Sequence, residues 1–358
     1  MAVKYASSYR QSASRPRLKG RGSILMLVLW SLCLLTAFAV ILGYEVRQKA
    51  SLIKRLDERD RCRFIAEAVA KKAISELKKE QVKSYDSLND KWSNNPAAFK
   101  DISVGGGTVD VSYNYTDTPS GNPEVRYGLV DEESKININS INDANKADML
   151  QMLQRLFMLV LNYNEAQAQE LAASIIDWRD ADNALTIPFG SAEDSYYLSL
   201  PYPYKAKNAA LEVLEELLLV KGMDENIFGK IRNYVTIYGD GRININTASK
   251  VVLSALGLSE DIINKIVAFR AGEDGITGTA DDNVFNQGSD IVPQLSQFGH
   301  LSASEIAQLS AVANQCLATK SSGFFSVDCR IKLNNSSTVN EMHCILNRNG
   351  KIVYWREP

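Results

Sequence analysis

Two stretches of this 358-residue chain gather carboxylates into loops. The first, IIDWRDADNALTIPFGSAEDSYY (175–197), carries Asp177, Asp180, Asp182, Glu193 and Asp194. The second, GEDGITGTADDNVF (272–285), carries Glu273, Asp274, Asp281 and Asp282. Hard cations take about six to eight oxygen ligands, and flexible loops supply them well. Asp180-x-Asp182 puts two carboxylates on one side of an irregular loop, and Glu193-Asp194 can close the set. Asp274, Asp281 and Asp282 form a second candidate. The competing reading of both stretches is a solvated acidic loop at a helix end. Neither loop has a His, Lys or Cys placed to make an acid–base pair. The chain has only two histidines, His300 and His343, and no CxxC, HExxH or GxSxG motif. A zinc site and a Ser/His hydrolase are not expected on that basis. No catalytic residue is expected, and the chain does not read as an enzyme.

The elements that must carry these loops begin with an apolar stretch. From Ser23 to Gly43 no residue is charged. A helix of that length is roughly 31 Å long, enough to cross a bilayer core. Before it stand Lys4, Arg10, Arg15, Arg17, Lys19 and Arg21, with no acidic residue. The positive-inside rule predicts a cytoplasmic N-terminus and everything after Gly43 on the far side of the membrane. The run is too long for an ordinary signal h-region and is closed by no A-x-A site. Beyond it, Leu52, Leu56, Cys62, Ile65, Val69, Ala73 and Leu77 follow a helical stripe. No Pro or Gly interrupts the chain until Pro96, which predicts a stem helix over 44–95.

After residue 100 the period changes. Alternating apolar and polar residues predict strands near 107–115 and 124–131. The C-terminal runs FFSVDCRIKL, EMHCILNR and KIVYW behave alike, and Asn349-Gly350 is a hairpin signal. Strands therefore flank a helical middle, and the fold class is α+β. That middle holds an internal repeat. ESKININS (133–140) recurs as DGRININT (240–247), each followed by two helices (146–161 and 165–179, then 249–256 and 259–271) and an acidic loop. Asn139-Ser140 and Asn246-Thr247 suit turns and N-caps.

Net charge is −2, with 45% hydrophobic and 23% charged residues, so the chain as a whole is no polyanion binder. The five cysteines are Cys33, Cys62, Cys316, Cys329 and Cys344. Outside the cytoplasm a Cys329–Cys344 disulfide is plausible; two buried free thiols are the alternative.

A glycine, Gly22, sits at the border between basic leader and apolar helix. With ININTAS-VVLSALGL, IIDWRDADN, GSAEDSYY and YPYKAKN, it makes nearly the whole chain similar to the protein K family of type II secretion systems, which are minor pseudopilins. The resemblance implies prepilin cleavage between Gly22 and Ser23, with N-methylation of the new terminus. It implies a pilin-like long helix packed on an antiparallel sheet, with a large all-α insertion of two SAM-like (helix-hairpin-helix-like) repeats. The implied segments are a leader over 1–22, a transmembrane helix over 23–43, the stem over 44–95, a first sheet part over 100–130, an insertion over 131–321 (131–239 and 240–321) and a last sheet part over 322–358. Most of that family carries Glu at the fifth mature position; here it is Leu27. A carboxylate in lipid is costly unless it pairs, and a subunit with no neighbour ahead of it has nothing to pair with.

The implied function is to cap the tip of the pseudopilus and initiate its assembly for export of folded proteins across the outer membrane. The implied location is the inner membrane, single-pass, with the bulk periplasmic. Implied partners are other minor pseudopilins in a tip complex, the prepilin peptidase, and secreted substrates or the outer-membrane channel. The resemblance also implies structural Ca2+, carried onto Asp180, Asp182, Glu193 and Asp194. The alternative is a membrane-anchored helix-hairpin-helix module that binds nucleic acid. The hairpin regions, with Asp143, Glu165, Glu260 and Asp261, would repel phosphate, so no nucleic-acid partner is expected.

Overall fold

The computed structural model describes residues 21–357 apart from 81, 117–120, 122, 335 and 337. Of the expected leader, residues 1–20 lie outside the described residues. The chain divides into two units, Met1–Asp60 and Arg61–Pro358. The described part of the first unit is helical and belongs to α1 (Arg21–Lys79). Ser23–Lys79 is the one helix among the described residues long and apolar enough to cross a membrane. Its hydroxyls turn back on the helix: Ser31 donates to the Val28 carbonyl and Thr36 to that of Cys33. In lipid every polar group must be satisfied internally, and these are.

In the second unit the last part of α1 buries Cys62, Ile65, Ala66, Val69, Ala70, Ala73, Ile74 and Leu77. This spacing of three and four residues makes one apolar face. The helix ends at Lys79 rather than near 95. The Ser-, Asp- and Asn-rich stretch 84–95 bonds its own backbone instead, as such residues do. Asp90 accepts from the Ser87 N–H and the Trp92 indole. Trp92 then packs edge-on against Phe325, with ring centres 4.9 Å apart. Asn95 caps the short α2 (Pro96–Phe99).

Five strands precede the insertion: β1 (Ile102–Val104), β2 (Gly107–Val111), β3 (Tyr113–Tyr115), β4 (Glu124–Arg126) and β5 (Val130–Asp131). The two long strands expected from alternation are each broken, between Val111 and Tyr113 and again at Tyr127–Leu129. At Gly128 a Cβ would lie 2.1 Å from the Ser93 carbonyl oxygen, so only glycine lets the chain pass the 92–93 backbone.

The insertion comprises β6 (Ile136–Asn137), α3 (Lys146–Leu161), α4 (Glu165–Arg179), α5 (Asp194–Tyr197), α6 (Glu225–Ile231), β7 (Val235–Thr236), β8 (Ile243–Asn244), α7 (Lys250–Ala255), α8 (Glu260–Arg270), α9 (Ile291–Gly299), α10 (Ala303–Cys316) and β9 (Leu317–Ala318). The chain closes with β10 (Phe324–Leu333), β11 (Val339–Asn347) and β12 (Ile352–Arg356). The main sheet runs β1-β2-β10-β11-β12, with β5 also on β10, and all of its pairs are antiparallel. Strands from both sides of the insertion thus meet in one sheet. Phe325, Val327, Cys329 and Ile331 alternate onto the face that packs on α1. The Asn349-Gly350 turn joins β11 to β12, with Gly350 at φ 101°.

Helices α3–α10 build a second core of their own. Each ININ motif makes one short parallel pair, β6 with β7 and β8 with β9. Buried polar groups join this core to the sheet. Asp131 accepts from Asn244 and Thr247, and Asp86 pairs with Arg348 at 2.5 Å while accepting from the Ser321 N–H. Burial pushes the Asp131 carboxyl up to about 7.

Cys329 and Cys344 are both buried free thiols. The register sets Cys329 opposite Met342 and Cys344 opposite Val327, so the two are diagonal neighbours rather than a facing pair.

Candidate metal centre

The first acidic loop starts where α4 stops. Asp180 is its C-cap and donates its N–H to the Ile176 carbonyl. Asp177 lies in the last turn, and Glu193 is the residue from which α5 begins. These two helix ends bring Asp180 and Glu193 together, with Asp182 on the loop between. Ligand oxygens of Asp180, Asp182 and Glu193 all lie within 4.8 Å of one another. Asp180 and Glu193 are buried, and Asp182 is exposed.

What sets the cluster apart is its unfilled valence. Both carboxylate oxygens of Glu193, Oδ1 of Asp180 and Oδ2 of Asp177 are buried without a hydrogen-bond partner. Three further oxygens are engaged: Asp177 Oδ1 accepts from the Thr186 N–H and Asp182 Oδ1 from the Ala184 N–H. Asp180 Oδ2 accepts from Lys146 Nζ at 2.5 Å. Burial, reinforced by the charges of Asp177, Asp180 and Asp182, pushes the Glu193 carboxyl up to about 7. Burial raises Asp180 as well, against the pull of Lys146. Nearby, Trp178, Tyr197 and Tyr204 pack ring against ring, with centres 5.1–6.0 Å apart. Buried charge without a partner is expensive. Orphaned oxygens from several carboxylates are the donor set that a hard divalent cation uses.

Asp194 takes a different place. Its Oδ1 accepts from the Ala206 N–H, and its Oδ2 lies 3.8 Å from Lys205. It closes the loop rather than joining the group of three. Asp177, by contrast, sits beside the cluster with one free oxygen, and Lys146 supplies a cation to Asp180. Sequence reading took Lys146 only as the start of an apolar helix; a lysine at a helix start gives no sign of which loop it will meet.

In the second loop the carboxylates are already served by their own chain. Asp281 Oδ2 accepts from the N–H groups of Glu273 and Asp274, and its Oδ1 from the Thr279 hydroxyl at 2.7 Å. Asp282 accepts from Gly278 and Thr279, and Asp274 from the Ile276 N–H. The Thr279 hydroxyl and these amides hold the Asp281 carboxyl down at about 2. Burial raises Asp282. The loop is tied to the β3–β4 pair through Arg126, which donates to the Thr277 carbonyl at 2.7 Å and lies over the Tyr115 ring at 3.7 Å.

The repeat is carried by matching polar contacts. Asn139 pairs with Leu211 through both backbone groups, as Asn246 does with Phe285. Arg179 at the end of α4 donates to the Asn139 carbonyl, and Arg270 at the end of α8 to the carbonyls of Ile245 and Ala248. The signal available in sequence was an aromatic-Arg pair, Trp178-Arg179 and Phe269-Arg270, before each acidic loop.

Gly22 lies within the first turn of α1, and Ser23 and Leu27 follow it; Leu27 is exposed.

A family model described as "Type II secretion system (T2SS), protein K" matches residues 134–240. The chain is similar to "Type II secretion system protein K" of Pectobacterium carotovorum subsp. carotovorum, 29% identical over 154 residues, which are 40% of this chain and 46% of that protein. It is similar to the protein so described in Pseudomonas aeruginosa, 25% identical over 207 residues and 56% of each chain. A "Putative type II secretion system protein K" of Escherichia coli (strain K12) is 25% identical over 234 residues, 63% of this chain and 65% of that one. The chain thus spans about half the length of the first of these relatives. Its fold resembles a chain of the GspK-GspI-GspJ complex from the enterotoxigenic Escherichia coli Type 2 Secretion System. There the TM-score is 0.63 at 19% identity, over 85% of this chain and 98% of that one.

Proposed function

Because this chain belongs to the protein K family of type II secretion systems, we propose that it acts as a minor pseudopilin at the tip of the pseudopilus, capping the filament and initiating its assembly. The observation that carries this reading is the insertion of α3–α10 between β5 and β10 of a helix-on-sheet fold. A stem helix on a sheet gives a subunit that stacks with others like it. A second core of this size, inserted at one point of that sheet, is the feature we read as blocking addition of a subunit above. Leu27, in place of a carboxylate, fits a subunit with no neighbour ahead to pair with. By likeness to a chain of the GspK-GspI-GspJ complex, the partners are the other minor pseudopilins. The N-terminus is cytoplasmic, the anchor lies in the inner membrane and the rest is periplasmic. We read the two helical repeats as SAM-like units.

The test is the amino-terminal sequence of the protein extracted from its host membranes. A start at Ser23 supports processing by a prepilin peptidase. An intact Met1, or a cut beyond Gly43, overturns it. Deleting the chain should retain exported proteins in the periplasm, and Leu27→Glu should leave export unchanged or impair it.

Asp180, Asp182 and Glu193, with Asp177 beside them, would hold a structural calcium ion that neutralises the cluster. Calorimetry with calcium before and after Asp182→Ala tests this; equal heats overturn it. Nucleic-acid binding is not favoured. The amides at the start of α4 and α8 that would meet phosphate are capped by Asn164 and Ser259.

A further inference from the structure

Lys146 is the first residue of α3, and its ammonium lies against Asp180 Oδ2 at 2.5 Å. Its side chain is 25% exposed and that of Asp180 only 5%. Asp180 is the one carboxylate at ion-pair distance from it among the described residues, with the charges of Asp182 and Asp177 farther off. The lysine therefore occupies one edge of a cluster in which both oxygens of Glu193, Oδ1 of Asp180 and Oδ2 of Asp177 have no hydrogen-bond partner. Resting on the calcium reading above, we propose that Lys146 is a tethered cation that competes with the metal for Asp180 and so sets the affinity of the centre.

The physical argument is one of charge. Asp177, Asp180, Asp182 and Glu193 gather four carboxylates at one place, and Lys146 offsets one of them. An ion that enters must share Asp180 with an ammonium already there, or displace it. Site affinity for calcium follows the charge and rigidity of the ligand set. A neighbouring positive charge at close range opposes a divalent ion more strongly still at a partly buried site. The other repeat supplies an internal control. Lys250 opens α7 as Lys146 opens α3, yet among the described residues its ammonium meets no carboxylate; only its carbonyl is engaged, by the Ser254 hydroxyl. The acidic loop of that repeat has its carboxylates bonded to their own backbone. Of these two helix-opening lysines, the one that meets a carboxylate is the one whose repeat has orphaned oxygens.

The position of Lys146 also links the centre to the insertion core. It follows Asn145, whose side chain donates to the Ser140 carbonyl at the end of the first ININS motif. Releasing Lys146 from Asp180 frees the first turn of α3, the helix that packs on both α4 and α7.

The experiment uses the full-length chain in detergent micelles, titrated with calcium chloride by calorimetry, with thermal unfolding in EDTA and in excess calcium. Lys146→Met should bind calcium at least about tenfold tighter than the parent chain. Its Tm in EDTA should fall, because four carboxylates are then uncompensated, and its rise on adding calcium should exceed that of the parent. Lys146→Arg keeps the charge and should stay within about twofold of the parent affinity. A merely structural lysine would lower Tm equally with and without the ion. Should Lys146→Met fail to fold in EDTA, Lys146→Gln carries the same affinity readout. Equal or weaker binding by Lys146→Met, with the parent binding normally, overturns this proposal alone. No heat from the parent or either variant overturns the calcium reading and this proposal with it.

Discussion

The two acidic loops close equivalent repeats and have nearly the same carboxylate content, yet they are solved in opposite ways. The loop after α8 is finished by its own chain: Asp274, Asp281 and Asp282 each accept local N–H or hydroxyl groups. The loop after α4 is unfinished. Glu193 has two buried oxygens with no partner, and Asp180 and Asp177 have one each. The difference teaches that a count of acids does not identify a metal centre. What matters is whether local donors are present. Gly278, Thr279 and the turn amides are there in the second loop. In the first, Asp177 and Asp180 stand at the C-terminal end of α4, which presents carbonyls rather than free N–H donors.

The comparison can be broken most severely at the asparagines that anchor the two motifs, Asn246 to the end of the second loop at Phe285 and Asn139 to Leu211 and Ile237 outside the first. Asn246 is buried and bonds Phe285 twice and Thr319 once. Asn246→Ala should cost about 3–4 kcal/mol by leaving these groups unpaired. Asn139→Ala, at a part-buried position, should cost about 1–2 kcal/mol. Urea unfolding of both variants measures this; an equal loss would mean that the second loop is no more self-sufficient than the first. Next in size is the response to calcium. At a hundredfold excess over Kd the ion should add about 2.7 kcal/mol to the parent chain. Asp182→Ala should abolish that gain and leave stability in EDTA little changed. Asp281→Ala should do the reverse, lowering Tm by about 2 °C with or without the ion. Thermal unfolding of the two variants in EDTA and calcium separates these outcomes.

Much of this arrangement was legible in the sequence, and the parts that were not share a cause. The apolar run, the strands at both ends and the ININ repeat follow from periodicity, which is a local property. The end of α1 at Lys79 was not legible, because no Pro or Gly marks it. It is set by Asp90 and Trp92 bonding within 84–95 and packing on Phe325, a residue more than two hundred positions away. The breaks in the first strands have the same origin: Gly128 passes the 92–93 backbone at a distance no side chain allows. In the first loop the acidic residues were visible, but their sorting was not. Asp194 turns to the Ala206 N–H while Glu193 turns inward. Adjacent residues in a helix start point to different sides, and spacing alone does not say which side holds the cluster. The partner of Asp180, Lys146, is 34 positions away on another helix.

The smallest and most discriminating effect is in the dependence on pH. Glu193 has its folded pKa raised from 4.5 to about 7 by burial and by three neighbouring carboxylates. Between those values the folded chain holds a proton that the unfolded chain has released. Its contribution is therefore full below pH 4.5 and is lost as pH rises through about 7. Asp281 is held down, from 3.8 to about 2, by the Thr279 hydroxyl and the loop amides. Its contribution is present above 3.8 and is lost as pH falls through about 2. The two loops thus pull stability in opposite directions with acid. Asp131 titrates in the same upper window, so the quantity to compare is the difference between parent and variant. In EDTA, the urea midpoint of Glu193→Gln should gain on the parent as pH rises from 4.5 to 7. That of Asp281→Asn should gain on its parent only as pH falls below 4. Saturating calcium should erase the first difference, since an ion on Glu193 holds it charged in the fold, and should leave the second untouched. A Glu193→Gln difference that persists unchanged in calcium would mean that the ion does not reach Glu193.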